Sequence, residues 1–184
     1  MKEKEIKKIY KKFTNFAKEE QWLQNMLQDG WVLKTYTSED IEEYKYIFEP
    51  IKDQKQMNRI YKIDYRVFNK KDGFQEYNSI FEDAGWTSLA KSKWYSKHIF
   101  YTELPSANQD IFSDIESYIE REKRKMSTYL MYIIISIMIF MVMIILYTLY
   151  NRSSLMGVGI FALISCLKCT LDYFKHRKVY KSLV

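Results

Sequence analysis

The distribution of apolar residues divides the chain into a mixed N-terminal part and a strongly apolar C-terminal part. Residues 127–150 carry no charged side chain, and a helix over these 24 positions rises about 36 Å, more than the roughly 30 Å hydrocarbon core of a bilayer. Residues 153–174 are also apolar but richer in small side chains. The pattern therefore predicts two transmembrane helices, 127–150 and 153–174, which a short turn joins into an antiparallel hairpin.

Basic residues flank this predicted hairpin on one side. They cluster at 121–125, before the first apolar segment, and at 175–181, after the second, whereas the turn has Arg152 alone. Because basic flanks favour the cytoplasmic face, we expect a protein of the cytoplasmic membrane with both termini inside and residues 175–184 as a basic tail. No leader with a charged start and an apolar core opens the sequence, so the N-terminal part is expected to be cytosolic.

The second apolar segment contains a stripe of small side chains and one pair of opposite charges. Ala162, Cys166 and Cys169 recur at helical spacing, so another helix can approach closely along them. Lys168 and Asp172 are four residues apart and can form an ion pair near the headgroups. We interpret these five residues as membrane-helix contacts. The alternatives are a zinc or thiol-redox role for the cysteines and a transport or proton path for the charges.

An internal duplication is visible in residues 1–104, the predicted cytosolic domain. The pairs Gly30-Trp31 and Gly85-Trp86 lie 55 residues apart, and an amphipathic helix precedes each pair. Each glycine is placed to end its helix in a left-handed conformation. The apolar face of the first helix comprises Trp22, Leu23, Met26 and Leu27, and that of the second comprises Phe74, Tyr77, Ile80, Phe81 and Ala84.

Alternating apolar positions predict three strands around the helix in each half. Each half then reads strand–helix–strand–strand, which predicts an α+β domain with six mostly antiparallel strands and two helices. The predicted strands are 10–16, 31–36, 44–49, 60–67, 86–91 and 94–102, in halves of about 8–50 and 58–104.

Two further helical features follow from side-chain spacing. Asp72 and Gln75 are spaced for a capping box at the start of the second helix. After Pro105, apolar residues recur at helical spacing up to the first apolar segment, which predicts an amphipathic, basic linker helix over 105–126. This linker is either continuous with the membrane helix or a plain spacer.

The net charge of +6 is concentrated beside the membrane segments. Residues 1–126 contain 23 Lys and Arg against 22 Asp and Glu, a net charge of +1, whereas residues 127–184 contain 6 basic residues against one aspartate, a net charge of +5. A nearly neutral domain lacks the basic surface that phosphate binding requires. We therefore expect no nucleic-acid partner.

The sequence shows no motif of a known reaction centre. Five glycines form no phosphate-binding loop, and His98 and His176 are isolated from other catalytic residue types. His98 alternates with Trp94, Ser96 and Phe100 on a predicted strand, so a half-buried, hydrogen-bonded histidine is expected. The adjacent Glu19 and Glu20 are interpreted as solvated charges at a helix start. We expect neither a catalytic activity nor a cofactor nor a metal.

Aromatic residues are the one feature of the domain beyond a generic core. The equivalent Trp31 and Trp86 begin matched strands and are candidates to line a shared cleft for a flat apolar or cationic small molecule. The alternative is that both tryptophans simply hold helix to sheet. The full set of candidate ligand-binding residues is Trp22, Trp31, Trp86, Trp94, Tyr46, Phe48 and Tyr65.

Ordered motifs over about residues 8–103 resemble the bacterial family with the domain of unknown function 2812 (DUF2812). Members often carry two C-terminal membrane helices and are often encoded beside a PadR-like transcriptional regulator. The resemblance implies a regulatory role and no accepted site residues, and the repeat order is similar to that of GyrI-like drug sensors. The motifs are Glu19-Glu20-x-Trp22-Leu23-x-x-Met26, Gly30-Trp31-x-Leu33, Tyr46-x-Phe48-Glu49, Tyr61-x-Ile63-Asp64-Tyr65 and Phe81-Glu82-Asp83-x-Gly85-Trp86.

Two functional hypotheses follow. The first is a non-enzymatic, membrane-anchored sensor or adaptor, which binds a small apolar or cationic molecule, the PadR-like regulator or another membrane protein and serves an envelope or drug stress response. The second is an accessory or immunity-type subunit of a membrane complex or transporter, which acts through its transmembrane hairpin. In both, the lipid bilayer is a partner.

Overall fold

The computed structural model describes residues 6–38, 44–90, 92–104 and 115–184. The chain divides into two compact units, Met1–Ser117 and Tyr118–Val184, and each is considered by itself. Residues 105–114 of the predicted linker helix lie outside the described residues.

The first half of the N-terminal unit forms a three-stranded sheet with one helix. Its elements are β1 (Lys7–Lys11), α1 (Phe16–Gln28), β2 (Trp31–Ser38) and β3 (Tyr44–Pro50). The strands are antiparallel in the order β1-β3-β2, so the last strand is central.

The second half repeats this arrangement. After a short 3-10 helix at Gln54–Asn58 come β4 (Ile60–Tyr65), α2 (Lys71–Asp83), β5 (Thr87–Ser88) and β6 (Lys97–Thr102). The strand order β4-β6-β5 is again antiparallel with the last strand in the centre. The duplicated strand–helix–strand–strand pattern and the α+β class are therefore confirmed, with six strands in two sheets.

Both predicted helix stops are confirmed, but two element starts differ from the prediction. Gly30 and Gly85 follow the helix caps with φ of +85° and +83°, a conformation that other residues rarely adopt. The predicted strand 10–16 lies at Lys7–Lys11 instead, because the Asn15 side chain accepts a hydrogen bond from the Lys18 amide and starts α1. The predicted capping box is wrong, since α2 begins at Lys71 and places Asp72 inside its first turn.

The main core lies between α1 and residues of both sheets. Leu23 of α1, Leu33 of β2, Phe48 of β3 and Ile63 of β4 are completely buried in it. Helix α2 buries Phe74, Tyr77 and Phe81 and stacks the Phe81 ring on Phe100 of β6 at 4.0 Å between ring centroids. Ile80 was expected on this face but is 59% exposed, because the helix buries a narrower stripe than its apolar residues suggest.

Two long helices make up the C-terminal unit. Helix α3 (Ile115–Tyr150) and helix α4 (Ser153–Leu183) are both long and apolar enough to cross a membrane. Only two residues separate them, and Asn151 takes a φ of +47° in that turn. Helix α3 is continuous from Ile115 into the predicted membrane segment. Helix α4 extends through most of the predicted basic tail.

Candidate functional site

A buried ion pair joins the two halves of the N-terminal unit. Lys97, the first residue of β6, places its Nζ 2.6 Å from Oε1 of Glu19 on α1, and the two side chains are 2% and 1% exposed. The interpretation of Glu19 as a solvated charge is therefore wrong. Its helix turn faces the core, and the ammonium of Lys97 from the other half compensates the charge there. The neighbouring Glu20 is half-buried, and its carboxylate accepts a hydrogen bond from the Ile63 amide.

Tyr46 completes a hydrogen-bonded triangle with this pair. Its hydroxyl donates to Oε1 of Glu19 at 2.5 Å and accepts from Nζ of Lys97 at 2.9 Å. One carboxylate oxygen therefore receives a phenol and an ammonium together. Charge-assisted hydrogen bonds of this kind are about twice as strong as neutral ones.

Three tyrosine rings surround the ammonium, and we call Tyr36, Tyr44 and Tyr46 the tyrosine cage. Nζ of Lys97 lies 3.2 Å from the Tyr44 ring centroid, 5.0 Å from that of Tyr46 and 5.8 Å from that of Tyr36. All three distances are within the range of cation–π attraction. The cage belongs entirely to β2 and β3, whereas the cation comes from β6.

Backbone contacts fix the cage against β6. The Tyr36 hydroxyl donates to the Lys97 carbonyl at 2.5 Å and accepts from the Ile99 amide at 3.3 Å. Tyr95, just before β6, donates its hydroxyl to the Tyr36 carbonyl at 3.1 Å and packs its ring edge-on against that of Tyr36. The junction between the halves is therefore polar at its centre and aromatic around it.

Burial shifts the protonation equilibria of this site. It lowers the pKa of Lys97, while the Glu19 carboxylate acts in the opposite direction. Burial and the nearby Glu19 charge raise the pKa of the Tyr46 phenol, and burial raises that of Tyr36. The tyrosines are therefore held as neutral hydroxyl donors over a wide range of pH.

The family profile described as "Protein of unknown function (DUF2812)" matches residues 15–134. The chain belongs to the DUF2812 family. The match begins at the start of α1, after β1, and ends within α3, so at its C-terminal end it reaches beyond the motifs at 8–103 on which the resemblance rested. Comparison with curated proteins and with solved structures found no match.

Three of the seven candidate aromatic residues of this DUF2812 protein belong to its main core, Tyr46, Phe48 and Tyr65, and Trp22 and Trp31 pack against that core. Trp22 packs edge-on against Tyr46 and Phe48, with ring centroids 4.9 and 5.6 Å apart, and Tyr65 lies in the same cluster beside Phe16. Of these, Tyr46 alone belongs to the tyrosine cage. Trp22 forms the second layer behind it.

The other three tryptophans lie apart from the cage. Trp31 is half-buried at the rim of the core, with the Lys7 ammonium 5.3 Å from its ring centroid. Trp86 is 1% exposed, and its amide donates to the Phe81 carbonyl at the end of α2. Trp94 is 81% exposed. The cleft predicted between Trp31 and Trp86 stays a prediction.

Sequence reasoning missed Glu19, Lys97, Tyr36 and Tyr44. One signal was present: Lys97 alternates with Tyr95, Ile99 and Tyr101 and is the only charge on that face of its strand. A lone lysine on an apolar strand face indicates a buried partner of opposite charge. Its partner is 78 residues away, so no local pattern identifies it.

His98 lies on the opposite face of β6 and is completely buried, not half-buried as expected. Its Nε2 donates to the Arg66 carbonyl at 2.9 Å, while Nδ1 has no hydrogen-bond partner among the described residues. The rings of Phe68, Phe74 and Tyr77 surround it. Burial lowers the pKa of His98, which keeps the imidazole neutral. Within the described ranges, no group of His, Cys, Asp and Glu side chains could hold a metal ion.

In the C-terminal unit, the contact between α3 and α4 involves part of the small-residue stripe. A Cβ added to Gly159 would lie 3.5 Å from Cβ of Met143, and Ala162 is 6% exposed. Cys166 and Cys169 are half-buried and form no disulfide. Asp172 forms an ion pair with Lys175 at 2.7 Å. Lys168 was the partner expected for Asp172, and Lys175 was not expected.

Proposed function

We propose that this protein is a non-enzymatic, membrane-anchored sensor or adaptor whose N-terminal domain binds a small molecule or a protein partner in the cytosol. The observation that carries the proposal is the Glu19–Lys97 ion pair, buried among tyrosines where the two halves meet. A buried ion pair contributes no more to stability than well-packed apolar residues of similar volume, so folding alone gives little reason for it. A charged centre shared by two repeats suits a domain whose halves respond to a ligand.

The two long apolar helices support the membrane anchor. Their basic flanks favour a cytoplasmic location for the N-terminal domain and for the end of α4. Thiol labelling tests this orientation in a Cys166→Ala/Cys169→Ala background. A membrane-impermeant reagent added to intact cells should label Ser154→Cys, in the first turn of α4 beside the connection, and leave Ser182→Cys unlabelled. The reverse pattern would contradict the orientation, and the unsubstituted background is the control.

The partner that we propose on the strength of the family resemblance is a PadR-like regulator. Affinity capture of the full chain from native membranes should recover this regulator, and a lipophilic cation should change the amount recovered. All four tryptophans lie in the N-terminal domain, so their emission reports on the same binding event. Capture of no regulator, together with emission that is indifferent to lipophilic cations and envelope-active drugs, would sink the proposal.

The second candidate function is that of an accessory or immunity-type subunit acting through its hairpin. What favours it is the close approach of α3 and α4 at Gly159, which makes the hairpin a defined structure and not only a tether. Replacement of both helices by an unrelated two-helix anchor distinguishes the candidates. Retained ligand-dependent capture supports the sensor, and its loss supports the accessory subunit.

A further inference from the structure

We propose that the tyrosine cage, with Glu19 at its base, is a binding site for an organic ammonium ion and that Lys97 is a built-in occupant which this ligand displaces. The inference rests on the proposed function, because it names the ligand class of the same domain. It adds that the ligand binds in the tyrosine cage, that it displaces Lys97, and that this displacement weakens the junction between the halves.

The cage provides the two kinds of group that recognise an organic ammonium. Aromatic faces lie 3.2, 5.0 and 5.8 Å from Nζ of Lys97, and a carboxylate lies 2.6 Å from it. Aromatic faces with one carboxylate select organic cations, because a ring attracts a weakly hydrated cation while the carboxylate fixes its position. A divalent metal would need several oxygen ligands, and among the residues that the structure describes Glu19 is the one carboxylate paired with the ammonium.

The occupant and the cage come from different halves of the domain. Tyr36, Tyr44 and Tyr46 belong to β2 and β3, and Glu19 belongs to α1, so the first half supplies the carboxylate and the three rings around the ammonium. Lys97 reaches it from the first position of β6, on a flexible stem of four carbons. Its ammonium can therefore leave by rotation of the side chain, without unfolding of the first half.

The second half shows that the scaffold does not require this ion pair. Helices α1 and α2 are both 13 residues long, and Phe74 occupies in α2 the position that Glu19 occupies in α1. Phe74 there faces the ring of His98, at 5.9 Å between centroids. The same helix-to-strand contact is thus built once without charge and once around a cation.

Half-buried aromatic rings at the rim indicate the rest of the ligand. Tyr44 and Tyr95 are partly exposed, whereas Tyr36 and Tyr46 are completely buried. The ammonium of a ligand would take the place of Nζ, and its apolar or aromatic body would lie against Tyr44 and Tyr95. Displacement of Lys97 would break its contacts with Glu19 and Tyr46 and so weaken the junction between the halves.

Chemical rescue in the full chain, purified in detergent, tests this proposal. Lys97→Ala removes three methylenes and the ammonium, which n-propylammonium can replace. We expect n-propylammonium at ten times its Kd to raise the unfolding midpoint of Lys97→Ala by roughly 5 °C. The uncharged 1-propanol should have no such effect, and the rescue should disappear in Lys97→Ala/Glu19→Gln. Equal stabilisation by 1-propanol, or rescue that survives Glu19→Gln, would overturn the proposal.

A titration of the wild-type chain keeps the proposal testable if Lys97→Ala does not fold. Trp22 lies 4.9 Å from Tyr46 and serves as the reporter. Benzylammonium should change the tryptophan emission saturably in the wild type, not in Glu19→Gln, and not in Trp22→Phe. An unchanged wild-type emission would contradict the site. Rescue and saturable binding without ligand-dependent capture of the regulator would support the cage and refute the regulator as the partner, whereas capture without binding or rescue would refute the cage alone, so the two failures are distinguishable.

Discussion

The two halves of the N-terminal domain share a scaffold but differ at its centre. Leu33 and Ser88 each lie two residues after the tryptophan of their Gly-Trp pair. Leu33 pairs with Phe48 of β3, and Ser88 pairs with Phe100 of β6, so Phe48 and Phe100 occupy equivalent positions in the two sheets. Two residues earlier on these strands stand Tyr46 and His98.

The helix residues opposite these two positions show the same divergence. Tyr46 donates a hydrogen bond to Glu19, whereas His98 meets the ring of Phe74. The second layer is aromatic in both halves, with Trp22 against Tyr46 and Tyr77 against His98. The scaffold therefore tolerates either an ionic or an apolar centre. The ionic centre of the first half is a specific feature, and it is completed by Lys97 from the second.

The largest expected effect comes from breaking the ionic centre on one side only. Lys97→Met or Glu19→Leu alone leaves a buried charge without its partner, which typically costs about 3–5 kcal/mol of unfolding free energy. Phe74→Leu, an apolar change at the equivalent position of α2, should cost only about 1 kcal/mol. Urea unfolding of the full chain in detergent, followed by tryptophan emission, measures all three.

The double variant Glu19→Leu/Lys97→Met sharpens this test. It removes both charges, so its loss of stability should be smaller than that of either single variant. Single losses that simply add in the double variant would show that the two side chains do not act as a pair.

Alkaline pH should affect the first half more than the second. Tyr36 and Tyr46 have raised pKa values in the folded state, so the unfolded chain releases their protons first, near pH 10. Stability is therefore lost as pH rises above 10, by about 1.4 kcal/mol per pH unit for each tyrosine. The lowered pKa of Lys97 acts in the opposite direction, and only up to about pH 10.4.

Substitutions at the aligned positions isolate this pH effect. Urea unfolding between pH 9.5 and about pH 11.5, where unfolded tyrosines ionise, should show a shallower loss of stability in Tyr46→Phe. His98→Phe should keep the wild-type slope. A slope that Tyr46→Phe leaves unchanged would contradict the assignment of the buried phenol.

The helix stops should respond equally in both halves. Gly30→Ala and Gly85→Ala each force a side chain into the left-handed region and should each cost about 1–2 kcal/mol. No atom lies within 4 Å of a Cβ built at Gly30, so backbone conformation alone sets its cost. Thermal unfolding compares the two, and losses that differ severalfold would break the proposed equivalence.

Substitutions at the N-terminal ends of α1 and α2 should change stability in opposite directions, and these are the smallest effects that we expect. Asn15→Ala removes the side-chain cap of α1 and should cost about 1 kcal/mol. Lys70 at the start of α2 makes no side-chain cap, so Lys70→Asn should stabilise the protein by about 0.5–1 kcal/mol. The same thermal measurement applies, and a destabilising Lys70→Asn would show that the α2 terminus has another constraint.

The sequence pattern predicted most helices and strands of the N-terminal domain, because the two signals that mark them involve residues close together in the chain. The Gly-Trp pairs marked where helices end, and the spacing of apolar residues marked which faces are buried. The pattern predicted the lengths of short strands less well, because few residues define them. The predicted strand 86–91 shrinks to Thr87–Ser88, since an edge strand needs only a short ladder with its neighbour.

The candidate site was largely invisible to the same reasoning. Tyr46 was named for its aromatic ring, but Glu19 was assigned to solvent because a charged residue in a first helical turn is usually exposed. Its burial depends on Lys97, which only the tertiary fold brings within 2.6 Å. Pairing between distant charges cannot be read from periodicity.

Lysine-selective NMR of the full chain in detergent tests the caged ammonium most directly. With 13C at lysine Cε, the Lys97 resonance should be shifted by the Tyr44 ring, whose centroid lies 3.2 Å from Nζ, and should move toward the bulk lysine position in Tyr44→Leu. Benzylammonium should move it in the same direction in the wild type. A Lys97 resonance that coincides with those of exposed lysines, and that ignores both changes, would contradict the account.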